Sequence, residues 1–161
     1  AESTGSKTMK TRLVFIFVIS LCLSGCDNSP YVHTFGKTAA ERVAVMTDII
    51  EKRISLPGSI LDAECIEEQY GDGRLGPSDF AFFAKLVVEK ADFATWRSSA
   101  GERISNWDYK SPKKARLSWW STREQADQLK MYSPKPMFGR SNGWIGFAAD
   151  GQTIYILTFT M

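Results

Sequence analysis

The sequence predicts an α+β domain, in which an antiparallel sheet of about four strands carries two or three helices on one face. Segments with the two-residue alternation of strands are separated along the chain from segments with the three- and four-residue spacing of amphipathic helices. Near the C-terminus, two apolar segments flank Asp150-Gly151, the turn signal of a β-hairpin. The resulting order of helix, strand, strand, helix, helix and hairpin favours helices packed on one face of an antiparallel sheet.

The N-terminal segment, residues 9–26, has the pattern of a signal peptide, residues 9–25, that is cleaved before residue 26. Lys10 and Arg12 form a short basic region, and eleven residues follow, numbers 13–23, in which Ser20 is the only polar one. Eleven helical residues rise only about 16 Å, whereas the hydrocarbon core of a bilayer is about 30 Å thick, so a transmembrane helix is not expected. Residues 1–8 show no apolar pattern and are interpreted as an upstream extension.

The end of this segment, Leu23-Ser24-Gly25-Cys26, resembles the lipobox of bacterial lipoproteins. The resemblance implies that Cys26 receives a diacylglyceryl group, that the signal is cut before it, and that the lipid holds the chain at a membrane. Asp27 resembles the sorting signal that retains lipoproteins of enteric-type bacteria in the inner membrane, which implies an anchor on its periplasmic face. In the alternative interpretation, Cys26 is an ordinary thiol that follows a secretory signal.

Cutting before Cys26 would leave 136 of the 161 residues, which suits a lipidated tether, residues 26–37, and a single globular domain, residues 38–161. Three of the 20 basic and one of the 18 acidic residues lie in the removed part, which leaves 17 of each sign. A net charge of zero argues against nucleic acid as a partner, because nucleic-acid-binding proteins carry a strong basic footprint. Cys65 would remain as the one cysteine without a lipid, so no intramolecular disulfide is expected.

The first element of the domain is predicted to be a helix that begins at Thr38. The segment Thr38-Ala-Ala-Glu41 matches a capping box, in which each of the two side chains accepts a hydrogen bond from the other residue's free N–H. Apolar residues then recur every three or four positions, at Val43, Met46, Ile50 and Ile54. Pro57-Gly58 ends the helix, and the segment before it, residues 27–37, has no period and is interpreted as the tether.

Two strands are predicted next. Residues 59–70 alternate, with Leu61, Ala63 and Cys65 on the apolar side. In residues 79–90, apolar side chains alternate between two faces, with Phe80, Phe82, Ala84, Leu86 and Val88 on one and Phe83 and Val87 on the other. This second strand is therefore expected to be central in the sheet, with both faces covered.

The second half of the domain is predicted to contain two helices, a long loop and the hairpin. A short helix, residues 93–100, is expected to be capped by Asp92 and to carry Trp96. Residues 102–118 are polar and basic without a period, which indicates a loop. The segment Ser121-Thr-Arg-Glu124 repeats the capping-box pattern, so a helix is predicted from there to about residue 131. The hairpin strands are predicted at residues 144–148 and 153–160.

The long loop predicts a candidate binding surface of aromatic and basic side chains. Its members are Trp107, Tyr109, Lys110, Lys113, Lys114, Arg116, Trp119 and Trp120. Tryptophan, tyrosine and arginine dominate binding energy at protein interfaces, because they bury a large area and keep a polar group. Two alternatives stay open: the tryptophans fill the core, as expected for Trp96 and one of the pair Trp119-Trp120, or the basic residues rest on anionic lipid head groups.

Candidate catalytic and metal-binding residues are few. His33, the only histidine, falls in the predicted tether, and Cys65 falls on the apolar side of a strand, so neither is well placed as a base or a nucleophile. One histidine and one free cysteine do not make a zinc or iron site, and no metal or cofactor is expected. Glu67, Glu68 and Asp72 could act as paired carboxylates or hold calcium, but a solvated acidic turn is the favoured interpretation.

These observations favour a membrane-anchored, non-catalytic binding protein over an enzyme. Its partner is expected to be another protein of the periplasm or envelope. In overall plan the chain resembles small lipoprotein immunity or superinfection-exclusion proteins, a resemblance of architecture rather than of a motif. Two alternatives are an envelope-maintenance lipoprotein that binds wall glycan through exposed tryptophans, and a hydrolase that uses the acidic group.

Overall fold

The computed structural model describes residues 31–71, 77–113 and 117–160. The strands in these residues are β1 (Tyr31–Thr34), β2 (Ile60–Tyr70), β3 (Asp79–Val88), β4 (Lys130–Tyr132), β5 (Gly143–Phe147) and β6 (Thr153–Phe159). The helices are α1 (Ala39–Glu51), α2 (Phe93–Ser99), α3 (Arg123–Ala126) and α4 (Lys135–Phe138), and a 3₁₀ turn, Lys90–Asp92, precedes α2. The strands form one antiparallel sheet in the order β1-β2-β3-β6-β5-β4, which confirms the α+β prediction.

The capping box predicted at the start of α1 is present. The backbone N–H of Glu41 donates to Oγ1 of Thr38 at 3.2 Å, and the N–H of Thr38 donates to Oε2 of Glu41 at 3.3 Å. These bonds satisfy donors that the first turn of a helix leaves free. Further along α1, Met46 and Ile50 are buried in the core, so the predicted apolar stripe fixes the helix on the sheet.

β3 lies in the interior of the sheet, as its two-sided apolar pattern predicts. It pairs with β2 on one side, where Cys65 lies opposite Ala84, and with β6 on the other, where Ile156 lies opposite the same alanine. Phe82 and Phe83 are consecutive and point to opposite faces, yet both are buried. Each of them belongs to a different hydrophobic core, which shows that both faces of the sheet are covered.

The two cores are closed by different kinds of structure. On the first face, α1, α2 and α4 contribute Met46, Trp96 and Met137. On the second face, residues 101–113 and 117–122, which form neither helix nor strand, cover the sheet together with α3. We call these residues the crossing loop. Its Trp120 packs edge-on against Phe83, and Ala126 of α3 is buried in the same core. A loop therefore covers much of this face, whereas three helices cover the other.

The sheet has six strands, which corrects the prediction of about four. β1 forms from four residues of the predicted tether and pairs with β2, where Val32 lies opposite Glu68. β4 forms where a helix was predicted to continue, and it pairs with β5, where Met131 lies opposite Gly146. Strands of four and three residues are too short to show an alternation, so the sequence pattern could not reveal them.

The helix predicted from Ser121 to about residue 131 is also shorter than expected. α3 ends at Ala126, and its capping box consists of Thr122 and Gln125 instead of Ser121 and Glu124. The N–H of Gln125 donates to Oγ1 of Thr122 at 3.3 Å, and the N–H of Thr122 donates to Oε1 of Gln125 at 2.9 Å. The overlapping sequence offers two capping boxes one residue apart, and packing of Ala126 into the second core favours the later one.

Two further local predictions are wrong. Leu61 is 52% exposed instead of lying with Ala63 and Cys65, because the pairing register of β2 with β3 shifts between Ile60 and Asp62. A β-bulge of this kind reverses the side-chain alternation locally. Asp92 does not cap α2 with its side chain. Its carboxylate instead accepts a hydrogen bond from the N–H of Ser59 at 2.9 Å, which ties the start of β2 to the 3₁₀ turn.

Candidate functional site

Some of the predicted site residues lie outside the described residues. They are Cys26 and Asp27 of the predicted anchor, Lys114 and Arg116 of the predicted binding surface, and Asp72 of the acidic group. The six other members of the binding surface are described, and all belong to the crossing loop. Within the described part of the chain, no helix combines the length and the hydrophobicity that crossing a bilayer requires.

The crossing loop begins beside the edge strand β4. The N–H of Ile104 donates to the carbonyl of Met131 at 3.0 Å, and the N–H of Ser133 donates to the carbonyl of Glu102 at 2.9 Å. Arg103 forms an isolated β-bridge with Tyr132 between these two bonds. The loop therefore covers the outer edge of β4 before it turns across the second face of the sheet.

Trp120 anchors the crossing loop in the second core. It is 7% exposed, stacks on Trp144 with ring centroids 5.7 Å apart, and meets Phe83 edge-on at 5.1 Å. Its Nε1–H donates to the carbonyl of Lys110 at 3.1 Å, so its polar group is also used internally. Trp120 is therefore a core residue and not a surface residue. Trp96 is also buried, in the first core. Both results agree with the alternative in which Trp96 and one of the pair Trp119-Trp120 fill the core.

Three other aromatic residues of the predicted surface, Trp107, Tyr109 and Trp119, are half-buried. The guanidinium carbon of Arg123 lies 5.4 Å from the centroid of the Trp107 ring and 5.9 Å from that of Tyr109. The hydroxyl of Tyr109 donates to the carbonyl of Ser121 at 2.8 Å, and burial raises the pKa of this hydroxyl. We call Trp107, Tyr109 and Arg123 the aromatic–arginine cluster. Arg123 is not among the residues predicted from the sequence, because nothing in the sequence pattern brings α3 next to the loop.

The two described lysines of the predicted surface lie against aromatic rings of the same chain. Nζ of Lys110 is 3.4 Å from the centroid of the Phe159 ring, and Nζ of Lys113 is 5.3 Å from that of Tyr70. A cation over a ring contributes about 0.5–1 kcal/mol at an exposed site. These contacts therefore fix the positions of both ammonium charges and help to hold the crossing loop on the sheet.

Glu68 is fully buried at 0% exposure, which corrects the prediction that it belongs to a solvated acidic turn. One of its carboxylate oxygens accepts a hydrogen bond from the N–H of Lys113 at 2.8 Å, and the other accepts one from the hydroxyl of Tyr70. Burial, followed by this bond to the Glu68 carboxylate, raises the pKa of the Tyr70 hydroxyl. Glu68 thus joins β2 to the crossing loop from beneath the loop.

Glu67, the second member of the acidic group, points to the other face of β2. Its Oε2 lies 3.9 Å from a guanidinium nitrogen of Arg140. Because consecutive strand residues point to opposite faces, Glu67 and Glu68 do not form the pair of facing carboxylates that sugar hydrolysis uses. In the described part of the chain, no group of three or more histidine, cysteine, aspartate or glutamate side chains is arranged to hold a metal ion.

His33 lies in β1 instead of in a linker. It pairs with Glu67 in the ladder, is exposed, and contacts the ring of Phe35 edge-on with centroids 4.4 Å apart. An exposed histidine on an edge strand has no nucleophile held within hydrogen-bond reach among the described residues, so the structure shows no catalytic arrangement around it.

Cys65, the candidate thiol, is 3% exposed in the first core. Burial raises the pKa of its thiol from an ordinary 9.0 to about 11, with Arg42 acting in the opposite direction. The thiolate is the reactive form of cysteine. A thiol whose pKa is raised in this way is suited to packing instead of to nucleophilic chemistry.

We expect native Cys65 to react with iodoacetamide at pH 8 at least 100-fold more slowly than the same residue in urea. A pKa higher by two units lowers the thiolate fraction by about 100-fold, and burial restricts access further. Because the unfolded thiol ionises first, its contribution to stability is complete below pH 9 and falls as the pH rises from 9.0 to about 11. Peptide mapping by mass spectrometry distinguishes Cys65 from the other cysteines, and equal rates in the native and unfolded chains would contradict the assignment.

A cleft of about 230 Å³ lies where the crossing loop passes the start of β5 and the end of β6. Its lining includes Asn106, Trp107, Asp108, Ser141, Asn142 and Trp144. The Nε1–H of Trp144 donates to the backbone carbonyl of Asp108 at 3.0 Å, and the rings of Trp144 and Trp107 meet at 70° with centroids 5.9 Å apart. Of these residues, only Trp107 belongs to the predicted binding surface. Its sequence neighbours Asn106 and Asp108 are not residue types that mark an interface hot spot, and the other three come from a separate segment that only the fold brings close.

Comparison of the chain with protein-family models, with curated proteins and with solved structures finds no match in any of the three.

Proposed function

We propose that this chain is an inner-membrane-anchored periplasmic lipoprotein that acts as a non-catalytic module for binding another protein. The lipobox resemblance of Leu23-Ser24-Gly25-Cys26 and the following Asp27 support this location. β1 begins at Tyr31, five residues after Cys26, and five extended residues span at most about 18 Å. A lipid on Cys26 would therefore hold this edge of the sheet close to the membrane surface.

The aromatic–arginine cluster is the observation that carries the protein-binding proposal. Trp107 and Tyr109 keep part of their rings accessible, and Arg123 lies against both rings while its own side chain is 57% exposed. Tryptophan, tyrosine and arginine are the residue types enriched at the energetic centres of protein interfaces. Because Trp120 and Glu68 fix the crossing loop on the sheet, this surface would lose little conformational entropy on binding.

The overall plan suggests the class of partner. Small lipoprotein immunity and superinfection-exclusion proteins hold a compact inhibitory domain at the membrane, where a toxin or a phage component arrives. The present chain would combine the same kind of anchor with a rigid aromatic and basic surface. We therefore propose that the partner is an envelope protein or an incoming toxin-like protein, and that binding itself is the activity.

Affinity capture of the full-length chain from mildly crosslinked membranes tests this proposal. We expect mass spectrometry to find an acylated Cys26 peptide and one stoichiometric protein partner. Arg123→Ala should weaken capture of that partner by roughly 30-fold in affinity, because truncation of an interface hot spot costs about 2 kcal/mol. The exposed ion pair of Arg123 with Asp127, at 3.2 Å, contributes little to stability, so this variant should stay folded.

Two control variants separate the anchor from the binding surface. Arg97→Ala removes an arginine from α2, which packs on the first face, and should leave capture unchanged. Cys26→Ser should move the chain from membranes into the soluble fraction. Equal loss of the partner in the Arg97 and Arg123 variants would exclude the cluster as the binding surface, and a Cys26→Ser chain that survives a carbonate wash on membranes would exclude the lipid anchor.

The second candidate function is envelope maintenance through binding of wall glycan. The specific observation in its favour is that Trp107 lines a polar cleft and remains partly accessible. An indole ring offers an apolar face to a sugar and a polar edge to solvent. Purified wall sacculi should then retain the chain during centrifugation, and a chain that stays entirely in the supernatant would count against this function.

A further inference from the structure

We propose that the cleft beside the crossing loop binds one neutral sugar ring, and that Asn106, Ser141 and Asn142 supply the hydrogen bonds. This inference names a ligand class and residues for the second candidate function, on which it rests in part. It is independent of the lipid anchor, and although Trp107 belongs both to the cleft and to the aromatic–arginine cluster, the hydrogen-bonding residues tested here are distinct from Arg123 and Tyr109.

The charges around the cleft favour a neutral ligand. Asp108 is the one charged residue among the described residues that line the cleft, and an anion would meet this carboxylate. Phe159 also lines the cleft, but Nζ of Lys110 lies 3.4 Å from the centroid of its ring. A cation would therefore meet an ammonium group that already occupies one aromatic face. The other large ring, Trp144, is stacked on Trp120, so the cleft does not offer the open aromatic cage that recognises quaternary ammonium groups.

Some polar groups of the cleft already form hydrogen bonds within the protein, and others remain able to bind a ligand. The Nε1–H of Trp144 is already bonded to the carbonyl of Asp108 at 3.0 Å. The side chains of Asn106, Ser141 and Asn142 are exposed at the mouth, and none has a hydrogen bond with another residue of the described part of the chain. Amides and hydroxyls both donate and accept, which matches the hydroxyl and acetamido groups of a sugar.

The size and the apolar surface of the cleft also suit a single ring. Its volume of about 230 Å³ is below the roughly 300–1,000 Å³ of pockets that enclose drug-sized ligands. Trp107 is half-buried, and the carbon-bound hydrogens of a pyranose can pack against the accessible part of its ring; the buried Trp144, 1% exposed, supports this ring at an interplanar angle of 70°. An extended peptide would need a longer groove, whereas a chain end or one unit of a glycan fits.

Calorimetric titration with N,N′,N″-triacetylchitotriose tests this assignment, with the full-length chain kept in a detergent that has no sugar head group. We expect measurable binding by the unmodified chain and at least 10-fold weaker binding by the double variant Asn106→Ala/Asn142→Ala, because two ligand hydrogen bonds are lost. Gln128→Ala is the matched control, since it removes an exposed amide that does not line the cleft. All variants should keep the same thermal unfolding midpoint.

The possible outcomes decide both the site and the source of the sugar. Retention on wall sacculi would identify wall glycan, whereas binding of free N-acetylglucosamine without retention would identify a soluble sugar. The assignment is overturned if the unmodified chain does not bind the trisaccharide at millimolar concentration, if the double variant binds it equally well, or if choline or inorganic phosphate binds more tightly. None of these results changes the expected effect of Arg123→Ala on protein capture, so the two proposals fail separately.

Discussion

Glu68→Ala is expected to lower the free energy of unfolding by about 2–4 kcal/mol and to detach the crossing loop from β2. The substitution removes the acceptor for the N–H of Lys113 and for the hydroxyl of Tyr70, both in part-buried bonds. Each donor left without an acceptor away from water costs about 1–3 kcal/mol. The substitution should loosen the crossing loop directly, because Lys113 is a residue of this loop and the ammonium group of Lys113 lies over the ring of Tyr70.

Glu67→Ala is the matched control for this prediction. Glu67 is the preceding residue of the same strand, but it faces the opposite side of the sheet and meets Arg140 only at 3.9 Å. Its loss should cost at most about 1 kcal/mol, as is usual for a partly exposed ion pair. Glu68→Gln should fall between the two alanine variants, since it keeps the shape and one acceptor oxygen.

Urea unfolding followed by tryptophan fluorescence measures these differences, and limited trypsin digestion reports on the loop. Glu68→Ala should be cut after Lys110 or Lys113 under native conditions, whereas Glu67→Ala should resist as the unmodified chain does. If both variants lose the same stability, or if neither is cut faster, Glu68 does not hold the crossing loop.

The elements that could be predicted from the sequence are those with long patterns or explicit capping signals. α1 begins at the predicted capping box of Thr38 and Glu41, and β3 has the predicted central place because its apolar residues alternate over ten positions. The hairpin of β5 and β6 follows from the Asp150-Gly151 turn, where the carboxylate of Asp150 accepts hydrogen bonds from the N–H groups of Gln152 and Thr153 at 3.0 and 2.9 Å. In each case the determining interactions are local in sequence.

The elements that were missed depend on distant partners. β1 and β4 exist because β2 and β5 offer free edges, and their own three or four residues contain too little information to show it. The burial of Glu68 is a stronger example, since glutamate is normally solvated and is buried here because the crossing loop covers it. A single sequence shows neither the free strand edges that β1 and β4 pair with nor the loop that covers Glu68.

The candidate site divides in the same way. Trp107, Tyr109 and Trp119 could be grouped from the sequence, because they are close together in one aperiodic segment. Arg123 and Asn142 could not, because α3 and the start of β5 approach this segment only in the folded chain. Aromatic composition therefore indicated the segment that contributes most of the candidate site, but it could not distinguish the buried Trp120 from its accessible neighbours.

Gly143→Ala is expected to destabilise the fold by about 3–5 kcal/mol, a large part of the roughly 5–15 kcal/mol of a typical domain. Gly143 begins β5 with φ at +118°, a backbone conformation that costs other residues about 1–3 kcal/mol. A methyl group there would also overlap the carbonyl oxygen of Leu157 and lie 2.8 Å from the Cα of Thr158. Both obstacles are backbone of the paired strand β6, so they cannot move aside as a side chain would, and such overpacking adds about 1–3 kcal/mol.

Gly151→Ala separates the two causes of this expected loss. Gly151 has φ at +73°, but an added methyl group would meet no atom within 4 Å. Gly151→Ala should therefore lower the free energy of unfolding only by the conformational cost, about 1–2 kcal/mol. The difference between the two variants then measures the energetic cost of the steric overlap between β5 and β6. Thermal unfolding of both variants tests this. Because Gly143 also lines the cleft, sugar binding should disappear together with the native fold in Gly143→Ala and persist in Gly151→Ala. Equal stability losses in the two variants would show that β5 and β6 separate readily at this point, and that this side of the cleft is not rigid.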